Sequence, residues 1–95
     1  MHFATDIATR IKQDFPALDV QLVTELLIEF QKDTNSGDRI LRCLLYVARG
    51  RFNYLADAIV LARHDFRDLI VSAEYDPNME RIRDFNQPFD SARLG

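Results

Sequence analysis

The sequence predicts a small all-α protein: one domain built as a bundle of five to six short helices. Three observations carry that expectation. Apolar residues recur at about 100° per residue nearly everywhere along the 95-residue chain, and no apolar–polar alternation persists beyond a few residues. Turn and breaker residues fall between the periodic segments and divide them cleanly, as at Pro16 and "TNSG" 34–37. A chain of this length holds at most one domain, and folding removes roughly two-thirds of its unfolded surface from water, which is enough for a single small core.

The first predicted helix covers about residues 3–15, with Phe3, Ile7, Ile11 and Phe15 four apart on one face. Pro16 ends it, because a proline disfavours helical geometry in the residue before it. Asp19 reads as the N-cap of a second helix over 20–33, whose inner stripe is Leu22, Val23, Leu26, Leu27 and Phe30. Ile28 falls off that stripe. After the 34–37 turn comes a third helix over 38–49, with Gly50 as its C-cap. Its apolar side is Ile40, Leu41, Leu44, Leu45 and Ala48, and its other side carries Arg39, Arg42, Tyr46 and Arg49.

A fourth helix over 52–63 is apolar nearly all round, which places it at the centre of the bundle. A fifth over 66–75 buries Phe66, Leu69, Ile70 and Ala73. Asp76 and Pro77 then form the start signal for a short sixth helix, 77–85, docking Met79, Ile82 and Phe85. The domain is expected to span 1–85. Residues 86–95, "NQPFDSARLG", have no period and are expected to be a flexible C-terminal tail.

The net charge of −3 argues against nucleic acid as the partner. Its distribution is uneven: residues 1–33 hold three basic and six acidic side chains, 34–67 hold six and three, and 68–95 hold three and six. A basic middle between acidic ends suits pairing of helices within one chain or between two copies. Ten of the twelve basic residues are arginine, the side chain whose planar fork grips carboxylates bidentately. The single cysteine, Cys43, forbids an internal disulfide and suits a reducing, cytoplasmic location. The N-terminal stretch lacks the layout of a secretory signal, and the longest apolar run, Cys43 to Ala48, is far too short to cross a membrane.

Motifs for chemistry are sparse. His64–Asp65 resembles in two letters the metal-binding doublet of some phosphohydrolases, but a first-row metal wants three or four rigid ligands, and the only other histidine is His2. The doublet reads instead as a helix junction, with Asp65 capping the fifth helix, Asp68 in its first turn and His64 at the end of the fourth. Cys43 beside Arg42 could be an activated thiol, but no partner base is near it in sequence, and a small, half-buried core cysteine is the plainer reading. There is no glycine-rich phosphate loop and no Ser–His–Asp order. A helix-turn-helix reading over 38–75 fails on charge, because "DFRDLIVSAEY" offers carboxylates where phosphate would lie. No catalytic residues, metal or cofactor are expected.

Two surface features remain. Ile28, Tyr46, Tyr54, Leu61, Val71 and Tyr75 fall off the main stripes, more apolar surface than a small interior absorbs. Tyr46, Tyr54, Val71 and Tyr75 are the expected protein-interface residues, with homodimerisation through the later helices as the simplest cover. Arg39, Arg42, Arg49 and Arg51, with Tyr46 between them, form an expected stripe for an acidic partner, RNA or another anion. The expected function is therefore a non-enzymatic interaction module of adaptor, regulator or toxin-neutralising type. The alternative is anion or RNA binding through the arginine stripe.

Overall fold

The computed structural model describes residues 3–94. Five α-helices follow in chain order: α1 (Thr5–Asp14), α2 (Ala17–Thr34), α3 (Asp38–Ala48), α4 (Phe52–His64) and α5 (Phe66–Glu74). A single 3₁₀ turn, Phe89–Ser91, follows them. The predicted all-α architecture is thus what the chain adopts, with each of the first five helices within three residues of its expected bounds.

Local chemistry sets the boundaries. Phe15 is extended before Pro16, which occupies the N-cap position of α2 without a side-chain cap. That corrects the expectation for Asp19, which sits in the first turn of α2 and favours the helix through its charge. Asn35 (φ 54°) ends α2 in the left-handed region that asparagine tolerates. At the end of α3 that conformation falls on Arg49 (φ 52°) as well as Gly50 (φ 74°). Asp65 caps α5 as expected, its carboxylate accepting from the Arg67 N–H at 3.0 Å.

The core is one cluster. Ile7 and Ile11 of α1, Val23, Leu27 and Phe30 of α2, Leu41, Leu44 and Leu45 of α3, Leu55 of α4 and Leu69 of α5 are all shut off from solvent. The central helix is α3, not α4 as the apolar breadth of α4 suggested. α3 packs against α1, α4 and α5, whereas α4 leaves Phe52, Tyr54 and Val60 exposed. The physical reason is that the charged face of α3 is also covered: arginines paired with carboxylates count as interior, which an apolar scale does not register. Leu22 and Phe66, expected inside, are exposed. The inner line of α2 is Val23–Leu27–Phe30, which leaves Leu18 and Leu22, four apart, on the outer side.

The sixth helix does not form. Residues 75–81 make a tight loop closed by an antiparallel bridge between Tyr75 and Arg81. Asp76 Oδ1 accepts from the N–H groups of Asn78 and Glu80 at 2.8 and 3.0 Å, and Met79 adopts φ 64°. An aspartate that can bond the backbone just after itself competes with helix, and here it wins. Met79 is exposed rather than docked. The expected boundary after residue 85 coincides with no break in packing: Asp84 N–H donates to Ala92 O at 2.7 Å, Leu94 N–H to Ile82 O at 3.0 Å, and Ala92 is buried.

Candidate functional site

α3 projects Arg39 and Arg42 one helical turn apart, and each meets a carboxylate from a distant part of the chain. Arg39 grips Glu74, the last residue of α5, with Nε to Oε2 at 2.9 Å and Nη2 to Oε1 at 2.7 Å. Arg42 grips Asp6 of α1, with Nε to Oδ2 at 2.8 Å and Nη2 to Oδ1 at 3.0 Å. Both are fork-to-fork pairs, the geometry in which arginine binds carboxylates best. With Arg63 on Asp33, three of the six arginines of the basic middle are paired to carboxylates of the acidic first and last thirds.

These pairs also hold the C-terminal segment. The Glu74 side chain is fully buried and accepts further bonds from Arg81 Nε at 3.1 Å and from the Phe85 N–H at 3.1 Å. Its backbone carbonyl accepts from Ile82 and Arg83. Arg42 Nη1 donates to Phe85 O at 3.1 Å, and Asp6 Oδ2 accepts from the Phe89 N–H at 3.2 Å. Burial pushes the Glu74 carboxyl upward in pKa, but Arg39, the Phe85 N–H and Arg81 outweigh it, leaving the group below its ordinary value. Asp6 is also lowered, by its bonds from Arg42 foremost, against the opposing effect of burial.

The expected arginine stripe is accordingly dismantled. Arg42 is only 6% exposed, and Arg39 is turned onto Glu74, so neither presents a free guanidinium to a ligand. Arg49 and Arg51 stay on the surface, beyond the end of α3, with Arg51 lying over the Tyr54 ring at 5.3 Å. Neither makes an ion pair among the described residues. Spacing alone could not separate the two kinds of arginine. The missing signal was Glu74 and Asp6, whose matching positions lie far away in sequence.

The expected interface residues are also dispersed. Tyr54 is 41% exposed and Val71 37% exposed, on α4 and α5 respectively. Tyr46 is half-buried, stacked beneath the Arg83 guanidinium at 4.3 Å and beside Phe85 at 5.4 Å. Tyr75 is half-buried at the base of the 75–81 loop. More apolar surface lies open elsewhere: Leu18 at 95% exposure, with Leu22, Phe52, Val60, Phe66 and Met79. Leu18 and Phe52 were not singled out from the sequence, since a residue at the edge of a stripe reads as interior until the neighbouring helix is placed.

A shallow groove of about 270 Å³ runs between the end of α3 and α4, lined by Val47, Tyr54, Asp57, Ala58 and Leu61. Cys43 is fully buried, its Sγ 4.0 Å from Glu74 Oε2, and burial foremost, with the Glu74 charge, pushes its thiol up to about 12. Both Asp65 oxygens accept bonds from Arg67, at 3.0 to 3.3 Å, and His64 ends α4 in solvent. His2 lies outside the described residues. Among the described residues no three His, Cys, Asp or Glu side chains are grouped to hold a metal ion, and no helix is long and apolar enough to cross a membrane. Comparison with protein-family models, curated proteins and solved structures finds no match.

Proposed function

We propose that this chain is a non-enzymatic protein-interaction module that associates with a second copy of itself through the α3–α4 groove, in a cytoplasmic setting. The observation that carries the reading is the groove itself. Val47, Tyr54, Ala58 and Leu61 give it an apolar floor, while Asp57 lines one part and Arg51 covers the Tyr54 ring. Such an arrangement is self-complementary. In a twofold pair through this groove, Arg51 of each copy would face Asp57 of the other across the apolar floor. The Tyr54 ring, amphipathic and costly to leave half in water, is the anchor type that interface centres favour. A groove this small belongs to the weaker, reversible class of associations.

Sedimentation equilibrium at protein concentrations up to about 100 µM tests the reading, because reversible pairs of this size dissociate on the micromolar scale. The expected result is a concentration-dependent rise from 11.0 kDa towards twice that mass. Arg51→Asp and Asp57→Arg should each weaken association at least about tenfold, and the double exchange should restore it. A mass fixed at the monomer value across the range, or a double exchange no better than either single change, overturns it.

A further inference from the structure

We propose that the cleft between the two chain segments ending in Arg83 and Arg93 binds a phosphate monoester carried on a small apolar or aromatic body. The cleft has a volume of about 400 Å³ and is lined by Tyr46, Ile82, Arg83, Arg93 and Leu94. Arg83 and Arg93 are directly opposed across an antiparallel bridge. Like charges facing each other across such a bridge destabilise it.

Six of the other eight arginines are matched with carboxylates, Arg10 with Asp14, Arg39 and Arg81 with Glu74, Arg42 with Asp6, Arg63 with Asp33, and Arg67 with Asp65, while Arg49 and Arg51 lie apart on the open surface. At this cleft no carboxylate is among the lining residues, and neither Arg83 nor Arg93 makes an ion pair among the described residues. Two arginines thus line one cleft with no carboxylate paired to either among the described residues.

Arg83 is also held in place. Its guanidinium stacks on Tyr46 at 4.3 Å, and Nη1 donates to Ala73 O at 3.4 Å. Those contacts fix the plane of the fork and leave Nε and Nη2 without a partner among the described residues. A fixed fork beside a second guanidinium presents two charges and several N–H donors to one oxyanion, and a dianionic phosphate monoester matches both counts better than a monoanionic carboxylate does. Ile82, Leu94 and the Tyr46 ring supply an apolar wall for the group that bears the phosphate. The site shares no residue with the α3–α4 groove and stands whether or not the chain pairs with itself.

The test uses the full chain and phenyl phosphate as probe, with benzoate and phenol as the monoanionic and neutral comparisons. Backbone amide shifts are followed by two-dimensional NMR at low ionic strength. Saturable shifts at Tyr46, Arg83 and Arg93, tighter for phenyl phosphate than for benzoate and absent for phenol, are the expected result. Arg83→Gln and Arg93→Gln should each lower the affinity at least about tenfold, since each removes one of two charge-assisted partners. Arg83→Gln also removes the stack on Tyr46, so Arg93→Gln, whose exposed side chain carries no hydrogen bond among the described residues, keeps the test decisive. In the absence of probe, Arg93→Gln should raise the melting temperature by relieving the facing charges. No saturable shift, equal affinity for benzoate, or binding that survives Arg93→Gln overturns the proposal.

Discussion

At Glu74 a carboxylate without solvent contact accepts bonds from two guanidinium groups and a backbone amide. Removing its charge leaves Arg39 and Arg81 facing a group that no longer neutralises them. Removing one partner of a buried ion pair costs 3–5 kcal/mol, and the half-exposed arginines can recover some hydration, so Glu74→Gln should cost about 3 kcal/mol of stability. The pH dependence has a defined sign. Both Glu74 and Asp6 titrate below their ordinary values of 4.5 and 3.8, so the folded state binds fewer protons than the unfolded state in the acid range. Their stabilisation is complete above pH 4.5 and is lost as the pH falls from there through the lowered values. Urea unfolding followed between neutral pH and about pH 3 should show that loss, and Glu74→Gln should flatten it. A variant with the same acid slope as the parent would show that Glu74 contributes nothing to it. Cys43, next to the same carboxylate, is a fully buried core side chain whose thiol is pushed up to about 12, by burial foremost.

On the scale of elements, helices were legible wherever one face meets one core. The stripes Ile7–Ile11–Phe15, Val23–Leu27–Phe30 and Leu41–Leu44–Leu45 are all interior, and Asp65 caps α5 as its position between two periodic segments suggested. What failed is equally specific. Met79, Ile82 and Phe85 have helical spacing, yet Asp76 and the carbonyl of Glu74 capture the backbone N–H groups between them. The spacing of Arg39 and Arg42 reads as an open stripe because their carboxylate partners lie 35 and 36 residues away. Long-range polar pairing has no period, so single-sequence patterning cannot register it. The α3–α4 connection depends on one further local feature. Gly50 adopts φ 74°, and a Cβ there would fall 2.5 Å from Asp14 O. Strain and backbone clash act together, so Gly50→Ala should destabilise the fold by more than about 1 kcal/mol, whereas the same change at a compatible glycine site stabilises. Chemical denaturation measures it, and a neutral result would mean that the Asp14 backbone yields easily.

Taken whole, the molecule is closed by its ends. The Phe89 N–H reaches Asp6 across 83 residues of sequence. Phe89 stands edge-on to Phe85 at 5.5 Å and lies beneath the Arg10 guanidinium at 4.5 Å, and Ala92 fills a buried site against the segment that Glu74 organises. Residues 86–95 read as a tail because they lack period and contain only two large apolar groups, but the described part of that segment needs no period, since side chains and backbone of other segments supply its polar partners. Those contacts have a predictable energetic weight. Ending the chain after Gln87 removes the aromatic pair, the buried alanine and the amide bond to Asp6, a combined loss of about 3 kcal/mol. For a domain of this size that corresponds to a fall in melting temperature of more than about 10 °C. Thermal unfolding of the shortened chain gives the answer. A melting temperature within a few degrees of the parent would mean that these contacts are formed and broken at no net gain, and that α1 and α3 hold Asp6 and Arg42 together without them.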